Sequence, residues 1–161
     1  MFLNQPESAG VQVRKVMSSP IISAAPDTTV RKASALMQEF AVGAIVVTER
    51  NRPVGIATDR DIIVRVIARG KDAGQAPLRD AMSPNPISCF ADQDVSDAAA
   101  MMGNRQIKRV LVVDRSDRLV GLLSLGDIAE NVSEVLAGQA LGEISEARAP
   151  CRRSFPVRPP E

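Results

Sequence analysis

The chain has no histidine, no tryptophan and no tyrosine, and only four phenylalanines and two cysteines among its 161 residues. Without imidazole it lacks the side chain that ordinarily titrates near neutral pH. That removes the usual general base, the Ser–His and Cys–His pairs of nucleophilic hydrolases, and histidine-ligated metals. Cys89 and Cys151 stand alone with no C-x-x-C spacing, so neither a zinc site nor a disulfide framework follows from them. Charge of one sign is not in excess either. Twenty Lys and Arg against nineteen Asp and Glu leave no global field to draw nucleic acid or an anionic membrane, so any anion site must be local. No apolar run reaches the roughly 18 residues that span a bilayer, and the opening MFLNQPESAGVQ lacks the basic-then-apolar order of an export signal. A cytoplasmic protein with reduced thiols and no membrane or nucleic-acid partner is expected.

What is present is aliphatic. Hydrophobic residues make up 45% of the chain, so the core must be built from Val, Ile, Leu, Ala and Met. The length suits one ordinary domain or two small units sharing a core. Self-similarity decides between them. Met17-Ser18, Asp27, Val30, Met37 and Ile45-Val46-Val47 return as Met82-Ser83, Asp92, Val95, Met102 and Val110-Leu111-Val112, at an offset of 65. After a turn one residue longer in the second copy, Gly55, Thr58 and Asp61 return as Gly121, Ser124 and Asp127, at an offset of 66. Two copies of one unit fill residues 13–69 and 78–139.

Both copies have the same local pattern. Ile21 to Ala24 and Ile87 to Phe90 are short apolar runs that suit strands. Asp27 to Phe40 and Asp94 to Asn104 place apolar residues at helical spacing. AIVVT from Ala44 and VLVV from Val110, each followed by a charged turn and then VGIA or LVGLL, read as buried hairpins. The units close with amphipathic helices over Asp59 to Arg69 and Gly126 to Leu136. On the first, Arg65 and Arg69 four apart offer a dimer edge or an anion path, with a solvated face as the simpler reading. Residues 70–77 (GKDAGQAP) form a polar, helix-breaking linker. Residues 147–161, with four prolines and four arginines in ARAPCRRSFPVRPPE counted from Ala147 and its neighbours, read as a disordered tail.

Thr58-x-x-Asp61 and Ser124-x-x-Asp127 fit a capping box, in which a hydroxyl accepts from a backbone N–H and an acid three residues on reaches back. The same junction suits a nucleotide. A strand-to-helix turn favours phosphate, an ionised Asp accepts from two vicinal ribose hydroxyls, and Arg60, Lys108 and Arg109 supply positive charge. From spacing alone, cap and ligand site both remain open.

The ordered set VMSSPIISAAPDTTV, AVGAIVVTERNRPVGIATDRDI, AMSPNPIS and IKRVLVVDRSDRLVGLLSLGDI resembles a tandem of cystathionine-beta-synthase (CBS) domains, the Bateman module, over about Val13 to Ala137. It is most similar to small stand-alone bacterial members. The resemblance implies an α+β fold of two β-α-β-β-α repeats related by a pseudo-twofold axis, with two clefts between them. It also implies a homodimer that binds AMP, ADP, ATP, S-adenosylmethionine or NADH and modulates a regulated protein. The ribose-binding acid falls on Asp61 and Asp127, and the hydroxyl before it on Thr58 and Ser124. Backbone around Ser23, Ser88, Gly43 and Ala44 would face the base, and Lys108 and Arg109 the phosphates.

The chain departs from the family pattern at the second hydroxyl position, which holds Arg60 in one copy and Gly126 in the other. Arg60 can donate and Gly126 cannot. The cleft using Thr58, Arg60 and Asp61 is therefore expected to be the stronger. Catalysis is not expected, since there is no P-loop and GLLSLG does not match the G-x-S-x-G elbow. A ligand-free dimeric scaffold is the alternative to a nucleotide-sensing module.

Overall fold

The structure is a computed structural model and describes residues 10–148. Cys151 and the tail expected beyond Arg148 lie outside the described residues. The fold is α+β, made of two repeats of one unit. The first opens with a 3-10 turn (Val13–Lys15) and continues as β1 (Ser23–Ala24), α1 (Val30–Glu39), β2 (Ala44–Glu49), β3 (Arg52–Thr58) and α2 (Asp59–Ile62), which runs on as a π-helical turn over Ile63–Ile67. The second opens with the 3-10 turn Leu78–Asp80. It continues as β4 (Ser83–Pro84), β5 (Ser88–Phe90), α3 (Val95–Arg105), β6 (Arg109–Val113), β7 (Leu119–Ser124), α4 (Leu125–Asn131) and α5 (Glu134–Arg148).

In each repeat a short strand pairs parallel to the central strand, which pairs antiparallel with the third: β1-β2-β3 and β5-β6-β7. The central strands are continuous apolar runs because both of their faces are covered. Ile45 and Val47 of β2, and Val110 and Val112 of β6, join the cores beneath the helices. Val46 and Leu111 point the other way and are still 1% exposed, because the second faces of the two sheets turn toward each other.

The segment leading into each repeat packs on the other repeat. Ser83 of the second copy pairs with Ile56 of β3, and Ser18 of the first pairs with Leu122 of β7. Val13 and Val16 are buried in the core of the second repeat, and Leu78 and Ala81 in that of the first. The exchange also caps helices. Val30 and Arg31, in the first turn of α1, donate their N–H groups to the carbonyls of Ala76 and Ala73, and Val95 of α3 donates to Val11. The linker over 70–77 is thus hydrogen-bonded along the start of α1, with Ala76 buried.

Glycines at two equivalent positions permit the exchange. A Cβ on Gly55 would stand 2.6 Å from Met82 Sδ and 3.0 Å from the Ser83 carbonyl, and one on Gly121 would overlap Met17 Sδ. Close approach, not an unusual backbone angle, is what requires glycine here. The two methionines fill the gaps between repeats, as expected of flexible side chains in an aliphatic protein.

One expectation fails. The closing helix of the second repeat does not run from Gly126 to Leu136, because α4 ends at Asn131 and α5 begins at Glu134. The N–H groups of Val132 and Ser133 both turn to the Ile128 carbonyl, and Ser133 Oγ accepts from Leu136 N–H, capping a new helix. α5 buries Ala137, Ala140 and Ile144 in the second core against Ala99 and Met102. Their helical spacing is visible in the sequence but lies beyond the Leu136 end expected for the closing helix.

Gly121→Ala should lower the unfolding free energy by about 1–3 kcal/mol, the usual cost of forcing a methyl group into packed space. Urea denaturation of Gly121→Ala and Gly121→Ala/Met17→Ala checks this. The second change should recover part of the loss if the Met17 contact is its cause.

Candidate functional site

The site begins where β3 and β7 end. Thr58 (φ −102, ψ 164) and Ser124 (φ −113, ψ 162) are extended, and the next residue starts a helix. In the first repeat Thr58 Oγ1 accepts from Asp61 N–H at 3.1 Å, while Asp61 Oδ2 accepts from Thr58 N–H at 2.9 Å and from the Thr58 hydroxyl at 2.8 Å. In the second, Ser124 and Asp127 make the same bonds at 3.1, 2.7 and 2.7 Å. Both capping boxes therefore form. Each uses one carboxylate oxygen, Oδ2, and makes no bond to the other, Oδ1.

The two clefts are unequal. The larger, about 540 Å³, is lined by Ile56, Thr58, Asp59, Arg60 and Asp61 from the first repeat and by Ser83 to Ile87, Gln106 to Arg109 and Leu111 from the second. The smaller, about 170 Å³, is lined by Ser124, Asp127 and Leu122 together with Ser18, Pro20 to Ile22, Val42 to Ala44 and Arg109. Arg109 lies on the wall of both. The strand entries also differ in charge: the larger cleft meets Lys108-Arg109 where the smaller meets Gly43-Ala44.

Thr58, Arg60, Asp61, Lys108 and Arg109 thus come together in the larger cleft, and Gly43, Ala44, Ser124 and Asp127 in the smaller, with Arg109 again. Ser23 sits elsewhere, on a groove of about 440 Å³ with Asn51 and Arg118. Ser88 is exposed on β5 and lines none of these cavities, although its neighbour Ile87 lines the larger cleft. Asp59, Ser83 and Gln106 are cleft residues that the sequence motif did not single out. Ser83 carried a signal, as half of the repeated Met-Ser pair.

Three cations, Arg60, Lys108 and Arg109, share the larger cleft with two carboxylates, Asp59 and Asp61. Asp59 Oδ1 accepts from the Arg60 backbone N–H at 2.7 Å. Among the described residues the three cations make no ion pair, so their donors are available to an anion. Arg65 departs from the solvated face expected of it. Its guanidinium bonds the Ala81 carbonyl at 2.8 Å and Ser83 Oγ at 3.1 Å, and lies 3.5 Å from Asp61 Oδ1. Cys89 offers no nucleophile. It is 2% exposed, and burial pushes its thiol up to about 11.

The CBS domain profile matches this chain twice, over residues 13–68 and 78–134, so the chain belongs to the CBS domain family. It is 39% identical over 134 residues to the CBS domain-containing protein YhcV of Bacillus subtilis, covering 83% of this chain and 94% of that one. A conserved CBS domain protein of unknown function from Thermoplasma acidophilum superposes with a TM-score of 0.74 at 31% identity, covering 83% of this chain and 75% of that one. A CBS domain protein from Pyrobaculum aerophilum, solved in complex with AMP, superposes with a TM-score of 0.68 at 27% identity, covering 84% and 99%. Among the described residues no helix is long and apolar enough to cross a membrane.

Ser124→Ala should lower the unfolding free energy by about 0.5–2 kcal/mol through the lost cap, whereas Ser124→Thr should stay near wild type because Thr58 makes the same bonds in the other repeat. Chemical denaturation of the two variants checks this.

Proposed function

We propose that the chain is a non-catalytic regulatory module that takes an adenosine-containing ligand in the larger cleft. The class comprises AMP, ADP, ATP, S-adenosylmethionine and NADH. The observation that carries this is the placing of Asp61, with one carboxylate oxygen outside the capping box, in one cavity with Arg60, Lys108 and Arg109. Vicinal ribose hydroxyls would donate to Asp61, phosphate would accept from the cations, and the base would lie against apolar wall such as Ile56, Ile87 and Leu111. The AMP complex of the Pyrobaculum aerophilum protein supports the same ligand class. Both repeats wall the cleft, so a ligand that binds one relative packing of the repeats better than another would shift it and change how a regulated protein docks.

A ligand-free scaffold remains the second reading, favoured by one observation: both acids are already used in capping boxes. The two readings differ in what Asp61 does. Calorimetry with AMP, ATP, S-adenosylmethionine and NADH should show binding of at least one by wild type and loss of about tenfold or more in affinity for Asp61→Ala, from the missing charge-assisted hydrogen bonds. Silence from wild type with all four ligands would overturn the sensing reading. The scaffold reading expects Asp61→Ala to lower only the melting temperature.

The assembly we propose is a homodimer. In the second repeat α5 packs on α3 and α4. Among the described residues nothing equivalent covers α1 and α2, where Phe40, Ile63, Val64 and Ile67 are exposed. A second copy seated on this face would bury them. Sedimentation velocity should give a dimer for wild type and a monomer for Ile63→Glu/Ile67→Glu; a wild-type monomer at micromolar concentration would refute the dimer.

A further inference from the structure

The two acids at the helix starts differ in what reaches their second oxygen. Asp127 Oδ1 accepts a hydrogen bond from the hydroxyl of Ser18, at 3.2 Å. Ser83 occupies the equivalent place beside Asp61, 65 positions on from Ser18. Its hydroxyl makes no hydrogen bond to Asp61; Arg65 Nη2 donates to Ser83 Oγ at 3.1 Å and fixes its position, although the O–H itself stays free to donate. Arg65 is held by a second bond, Nη1 to the Ala81 carbonyl at 2.8 Å, and its side chain is only 35% exposed. The residue 66 positions on from Arg65 is Asn131, which makes no hydrogen bond to the leading segment among the described residues. It turns back on its own helix and donates to the Asp127 backbone carbonyl at 2.9 Å. Ser18 is left to cover Asp127.

We infer that Arg65 is a positioning residue that keeps the larger cleft open: by holding Ser83 it leaves Asp61 Oδ1 to a ligand hydroxyl, while Asn131 in its place lets Ser18 close Asp127. This rests on the reading of Asp61 as the polyol-binding group. A hydroxyl arriving at Asp127 must displace Ser18, whereas one arriving at Asp61 meets an oxygen that accepts no hydrogen bond among the described residues. The Arg65 guanidinium lies 3.5 Å from Asp61 Oδ1, a separation too long for a hydrogen bond of its own. Cleft selectivity is thus written in a residue outside the Thr-x-x-Asp motif.

AMP is the probe, read by calorimetry on the full chain, with melting temperatures confirming that each variant is folded. Arg65→Asn should weaken AMP binding about tenfold or more. Arg65→Asn/Ser83→Ala should return it to within a few-fold of wild type, since no hydroxyl is left to cover Asp61. In an Asp61→Ala background, Ser18→Ala should raise AMP binding by uncovering Asp127. If the double variant stays as weak as Arg65→Asn, Arg65 acts through its own charge and the inference fails. A ligand-free crystal structure of Arg65→Asn gives an answer that needs no AMP. Ser83 Oγ within hydrogen-bond distance of Asp61 Oδ1 supports the positioning role, and Ser83 remaining clear of Asp61 overturns it. Absence of AMP binding by wild type, with Ser83 moved as expected, would count against the ligand reading and leave the positioning role standing.

Discussion

Met82 lies over Gly55 and Met17 over Gly121, so close that neither glycine could carry a methyl group in place. These two contacts mark where each repeat's leading segment crosses to the other repeat and completes it. The crossing supplies a partner for β3 and β7, caps α1 and α3 with backbone carbonyls, and adds Leu78, Ala81, Val13 and Val16 to cores that would otherwise be open at one end. Neither repeat is complete without the other. Two small aliphatic units with no Trp or Tyr and one Phe each reach a well-covered core by lending each other a strand and a turn.

The clefts follow from the same exchange. Each is bounded by the helix start of one repeat, the leading segment that has crossed onto it, and the strand entry of the other repeat. Pseudo-symmetry makes two such places, and four substitutions between the copies make them different: Lys108-Arg109 against Gly43-Ala44, and Arg65 against Asn131 with Arg60 against Gly126. The first pair sets the charge of the wall. Arg65 against Asn131 sets whether the serine of the crossing segment rests on the acid or away from it. Capping and binding are not rivals here, since a carboxylate has two oxygens and the helix cap uses one.

Much of this was legible. The doubled order of elements, the apolar central strands and both capping boxes could be read because each depends on residues a few positions apart, where backbone hydrogen bonding and side-chain period act directly. The boundary of α5 was not, because Ser133 caps it only when α4 has already ended, and the apolar spacing of Ala137, Ala140 and Ile144 is equally good as a continuation. Arg65 looks like a solvated helical residue from sequence for a similar reason: its partners are 16 and 18 positions away, on a segment whose crossing no local pattern announces.

The sequence by itself determined that the protein is a repeat, that its core is aliphatic, that imidazole chemistry is absent, and that hydroxyl, acid and positive charge recur at two helix starts. These are properties of composition and short-range spacing. Only the tertiary structure decided which leading segment serves which repeat, which residues share a cleft, and which carboxylate oxygen is left open. Those depend on contacts between positions far apart in the chain, where the outcome is set by how the two sheets and the crossing segments pack, and a single side chain such as Arg65 can redirect a hydroxyl that the sequence places identically in both copies.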